Sequence, residues 1–114
     1  MIVVGVDVQL RRPLRHRQQL TANDIVVTVS DSRNVFVNLV MRVPADGNMP
    51  ILSRIKPWSD AVVYDGEFEL LLGELDALRR LAISEDELGI VGEIETAAER
   101  CVRDGGLELH FLGD

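Results

Sequence analysis

Cys101, His16 and His110 are the only thiol and the only imidazoles in the 114 residues, so a Cys–His nucleophile or a His/Cys zinc site would have to use them. A Cys–His nucleophile needs its base within hydrogen-bond reach and a third group to orient that base. Cys101 falls on the apolar face of a predicted helix, where burial raises a thiol's pKa and makes it inert. It reads as a core cysteine. His110 lies on the outward side of a predicted terminal strand with no partner in prospect, and reads as a solvated surface residue. The three residues are far apart and lack any zinc-ligand spacing, so no metal and no cofactor is expected.

Carboxylates are abundant but not paired for acid–base work, which needs two of them converging on one pocket with separated pKa values. Glu67, Glu69, Glu74 and Asp76 fall on the polar side of one predicted helix, and Glu85, Asp86, Glu93, Glu95 and Glu99 on that of a second. Asp76 with Arg80, and Glu99 with Arg103, are favourably ordered i,i+4 pairs. The charge is unevenly spread. Residues 1–60 carry eight Lys/Arg against five Asp/Glu, and residues 61–114 four Arg against fourteen, balances of +3 and −10 within the total of −7. Such a field attracts cationic partners and repels nucleic acid and anionic membrane. Arg11, Arg12, Arg15, His16 and Arg17 form a basic stretch with no aromatic residue for base stacking, which reads as a solvated loop. No Gly-rich phosphate loop or nucleophile elbow occurs.

Apolar spacing supplies the elements that must carry these residues. Ile2, Val4, Val6, Val8 and Leu10 share one face of a first strand, and Ile25, Val27 and Val29 of a second. After the turn-forming residues 31–34, Val35, Val37, Leu39, Met41 and Val43 alternate, which predicts a hairpin over 24–43. Phe36 and Val40 lie opposite that set and offer a surface for a homo-oligomer. Pro44–Asn48 is a break, Ile51–Ile55 a short strand, and Lys56–Asp60 a turn into Ala61–Tyr64. Asp65 is the expected N-cap of a helix over 67–82 with Phe68, Leu71, Leu72, Leu75, Leu78 and Ala82 inward. Ser84 with Glu87 makes a capping box for a helix over 85–103. Its inner face is Ile90, Val91, Ile94, Ala97, Ala98 and Cys101, and Gly105-Gly106 ends it. Leu107, Leu109 and Phe111 then alternate in a last strand.

Helices clustered in the back half, not interleaved with strands, predict a single α+β domain over 1–114. Its antiparallel sheet should have four to six strands with two helices packed on one face. One cysteine suits a reducing compartment, no run approaches the roughly 18 apolar residues of a membrane span, and a cytoplasmic location is expected.

The stretch Met49-Pro50-Ile51-Leu52-Ser53-Arg54-Ile55-Lys56-Pro57-Trp58-Ser59-Asp60-Ala61-Val62-Val63-Tyr64 resembles a segment of small bacterial proteins of unassigned function. In those, a short strand runs into a Pro-aromatic-Gly-Asp turn before a Leu-rich helix; here Ser59 stands at the usual glycine and Lys56 at a usual acid. Leu109-His110-Phe111-Leu112-Gly113-Asp114 is similar to their ending. Such proteins resemble the immunity proteins of bacterial toxin systems in size and acidity, which implies a non-enzymatic partner-binding role and no catalytic residues.

Two functional readings follow. One is a protein-binding module whose acidic surface, Glu67, Glu69, Glu74 and Asp76 with Trp58 and Tyr64 as anchors, docks a basic protein. The other is a small-ligand binder or enzyme with a site around Arg54, Trp58, Asp60 and Tyr64.

Overall fold

The computed structural model describes residues 5–14, 18–31, 33–44 and 46–113. Ile2 and Val4 of the first predicted strand, and Arg15, His16 and Arg17 of the basic stretch, lie outside them. In chain order the elements are β1 (Asp7–Arg11), β2 (Ile25–Val29), α1 (Val35–Val40), β3 (Ala61–Val63), α2 (Phe68–Arg79), α3 (Glu85–Asp104) and β4 (Glu108–Leu112). One four-stranded antiparallel sheet has the order β2-β1-β4-β3, so β1 and β4 are central and β2 and β3 are edges. The chain is an α+β fold with both long helices on one face, as the clustering of helical patterns predicts.

Alternation in β1 and β4 decides which face is covered. Val29, Val8, Phe111 and Ala61 align across the sheet, as do Val27, Leu10, Leu109 and Val63. Most of these side chains are buried, and each large one contributes about 1.5–3 kcal/mol by leaving water. Thr28, Gln9, His110 and Val62 form the row between them, on the opposite face. Helix α3 brings Ile90, Val91, Ile94, Ala97, Ala98 and Cys101 onto the inner face, all buried as the spacing predicts. Its small alanines allow close approach, and α2 adds Phe68, Leu71, Leu75 and Leu78 to the same core.

Two predicted strands are helical. Residues 35–40 form α1, so the hairpin over 24–43 and the two-sided oligomer strand do not exist. The buried Asp31 carboxylate accepts the Phe36 and Val37 N–H groups at 2.9 and 3.1 Å, satisfying donors that a helix start leaves orphaned. Phe36, Val37 and Leu39 then all point inward, and Phe36 stacks on Phe111 with ring centroids 6.0 Å apart. A strand would have turned Phe36 away from Val37 and Leu39. The predicted strand Ile51–Ile55 is instead a single 3₁₀ turn over Leu52–Arg54. The Ile51 N–H points at both Glu74 oxygens, at 3.1 and 3.2 Å, and the Leu52 N–H donates at 2.9 Å.

Helix boundaries differ slightly from expectation. The N-cap position of α2 is Glu67, not Asp65, and α2 ends at Arg79 in a tightened turn through Ala82. Ser84 Oγ accepts the Glu87 N–H at the start of α3, as a capping box requires, but Glu87 reaches back to the Ile83 N–H, one residue earlier than expected. Gly105 ends α3 at φ +69°, a left-handed conformation that favours glycine. Gly5 permits a second close approach: a Cβ there would lie 2.0 Å from the Asp31 carbonyl oxygen.

Candidate docking surface

The buried acids come first, because a carboxylate out of water is where acid–base chemistry would be sought. Among the described residues Asp24, Asp31, Glu74 and Glu87 are buried, and each accepts backbone N–H groups. Asp31 takes three, from Val6, Phe36 and Val37. Asp24 takes the Thr21 N–H and hydroxyl. Glu87 takes Ile83 and Arg42, and the Arg42 hydrogen bond followed by the Ile83 N–H holds its pKa below the ordinary carboxylate range. Glu74, expected on the solvated face of α2, is only 5% exposed and caps the 3₁₀ turn. It is therefore a structural residue and not part of an acidic surface. The helical spacing that places it beside Glu67 cannot reveal that another segment's backbone folds over it.

The thiol is likewise spent. Cys101 is buried, and burial first, with Asp104 second, pushes its pKa up to about 12. His110 is not the solvated residue expected of its outward-facing position. It is half-buried, with Nε2 3.1 Å from Glu108 Oε1 and Nδ1 a long 3.5 Å from Arg11 Nη1. An imidazole carrying its proton on Nε2 satisfies both neighbours.

Around the middle turn, Glu67 binds Arg54 through two hydrogen bonds of 3.2 and 2.6 Å and accepts the Tyr64 N–H at 3.2 Å. Arg54 first, then the Tyr64 N–H, lowers the Glu67 pKa. Asp60 accepts the Gly113 N–H at 3.0 Å. Gly113 must be glycine for this closure, since a Cβ would lie 2.3 Å from the Ser59 carbonyl oxygen. Of Arg54, Trp58, Asp60 and Tyr64, Trp58 alone lines a depression, so the four share no common pocket among the described residues. The first and third are engaged by protein groups, and the Trp58 and Tyr64 side chains are 70% and 55% exposed.

What remains open to a partner is of two kinds. On the helical layer Glu69, Glu85, Glu93 and Glu99 are exposed with no ion pair among the described residues, whereas Arg79, Arg80, Arg100 and Arg103 are all paired. Asp76 holds Arg80 as predicted, at 3.3 Å, and Arg79 at 3.8 Å. Glu99 does not hold Arg103, which turns to Asp104, and Glu95 pairs with Arg79. The second kind is apolar. A depression of about 370 Å³ lies between the end of α1 and the 54–58 segment, lined by Val40, Met41, Val43, Leu52, Ile55 and Trp58 among others. Arg54, Asp60 and Tyr64 are not part of its lining. Asn48 and Met49 form part of its wall and also of a shallower one of about 280 Å³ that reaches Glu69 and Leu70 on α2. Sequence reasoning identified Trp58 but not Met41 or Met49. The available signal was two methionines bracketing the Pro44–Asn48 break, in a segment read as strand and turn.

Compared with protein-family models, curated proteins and solved structures, the chain matches none.

Proposed function

We propose that this chain is a non-enzymatic protein-binding module that docks a basic protein, in the manner of the immunity-type inhibitors its C-terminal half resembles. The observation that carries this reading is the set of exposed acids on α2 and α3, Glu69, Glu85, Glu93 and Glu99, which have no counter-ion among the described residues. Unscreened charge of one sign speeds encounter with an oppositely charged partner and fixes its orientation, contributing more to on-rate than to affinity. The docking set is narrower than Glu67, Glu69, Glu74 and Asp76. Glu74 holds backbone, Glu67 holds Arg54 and Asp76 holds Arg79 and Arg80, so of the four only Glu69 is placed to meet a partner, with Trp58 and Tyr64 exposed nearby in sequence.

The test is charge reversal at Glu69, Glu93 and Glu99 together, positions whose exposure leaves the fold intact. Partners are captured from the source lysate with the wild-type chain, and association rates are then measured for both forms. The wild-type on-rate falls with added salt, because exposed charges are screened beyond about 8 Å at physiological ionic strength. The reversed form associates about tenfold or more slowly at low salt. Equal, salt-independent rates for the two forms would overturn the reading.

A further inference from the structure

We infer that the apolar trough between α1 and Trp58 receives a large apolar side chain from a partner segment, and that the residues flanking that side chain are basic. This deepens the protein-binding reading and rests on it. Met41 and Trp58 line the trough at 69% and 70% exposure, more than folding alone explains for two large apolar side chains in one place. Methionine adapts to varied shapes and tryptophan is a frequent anchor of binding energy, so the two together suit a protein ligand. At about 370 Å³ the space has room for one large side chain.

Charge complementarity specifies the flanks. Among the described residues Lys56 is the only charged one lining the apolar end. In the adjoining depression that shares Asn48 and Met49, the exposed charged residue is Glu69, which has no ion pair among the described residues. Asp46, also exposed and with no ion pair among the described residues, lies between Pro44 and Gly47, which line the two depressions. A segment entering with its apolar anchor beside Trp58 therefore meets carboxylates along the following stretch. A chain of net charge −7 adds to that preference at longer range.

Two of the three methionines line the trough, and Trp58 is the only tryptophan, so the site carries its own reporters. A capped peptide alternating leucine and lysine is titrated into protein with ¹³C-labelled methionine methyls and ¹⁵N-labelled amides. Its leucine–glutamate counterpart and benzyl alcohol serve as comparison probes. The cationic peptide shifts the Met41 and Met49 methyl signals and moves Trp58 emission to the blue. Trp58→Ala weakens its affinity about tenfold, read on the methyls, and Glu69→Lys weakens it while improving the acidic peptide. Both substitutions replace exposed side chains, and the unchanged amide spectrum verifies the fold.

Shifts at Glu93 and Glu99 without the methionines would keep the protein-binding reading and overturn the trough. An equal response to the acidic peptide or to benzyl alcohol would overturn the basic occupant. Silence at every signal at about millimolar peptide would count against both.

Discussion

A carboxylate that is 5% exposed and accepts two backbone N–H groups is costly to remove, because truncation strands buried donors. Each stranded donor costs about 1–3 kcal/mol. Glu74→Ala is therefore expected to lower the denaturant midpoint sharply, and Glu74→Gln, which keeps one acceptor oxygen, to lower it less. Equal losses for both would mean that charge and not hydrogen bonding holds the 51–54 turn. Cys101 makes the opposite case, a group stabilised in its neutral form. Its folded pKa of about 12 stands above the ordinary 9.0, so its contribution to stability is complete below about pH 9 and is lost as pH rises toward 12. At neutral pH the native thiol should react with a maleimide only as fast as the protein opens, and denaturant should release it at once. Fast labelling of the folded chain would contradict its burial.

At the scale of elements, what the sequence made legible and what it hid divide along a physical line. β1, β4, α2 and α3 bury side chains at period 2 or 3.6, and their patterns point to the right face. In β2 a register shift beside Arg11 breaks the alternation, so that Val29 is buried, Val26 and Val27 pack against the core and Ile25 lies opposite Arg11. α1 and the 52–54 turn do not announce themselves, because their conformation depends on partners remote in the chain. Asp31 caps α1 while also binding Val6, and Glu74 caps a turn 22 residues away. Alternating Val and Leu over 35–43 has strand propensity, and tertiary capping with the Phe36–Phe111 stack overrides it. The candidate site was legible only in part for the same reason. Trp58 and Glu69 are visible as residue types, but the trough between α1 and Trp58 exists only because residues 35–40 are helical and residues 52–54 form a turn held by Glu74 of α2. The stripe on α2 remains the best test of element-level packing. Leu75→Ala should cost about 2–5 kcal/mol by opening a cavity in the core, measured by urea unfolding. A cost below about 1 kcal/mol would mean that α2 does not pack as described.

At the scale of the whole molecule, the basic front half and the acidic back half hold each other. Arg33 pairs with Asp86, Arg42 with Glu87 and Arg54 with Glu67, each pair joining the two halves. The field read from sequence is thus partly neutralised inside the molecule, and what reaches solvent is the unpaired remainder on α2 and α3. Glu67, Glu87 and Asp104 all have lowered pKa values, with an arginine hydrogen bond as the first cause of each. A lowered carboxylate pKa means the unfolded state binds protons first. The stability gained is then present above the ordinary value near 4.5 and lost as pH falls through the lower folded value. Denaturant midpoints should be nearly flat between about pH 7 and 5 and fall below that. Arg42→Met with Arg54→Met removes the first-ranked cause at Glu87 and at Glu67, so the double variant should be less stable at neutral pH and lose less on acidification. If its midpoint falls with acid as steeply as the wild type's, the ion pairs joining the two halves are not what makes the fold acid-sensitive.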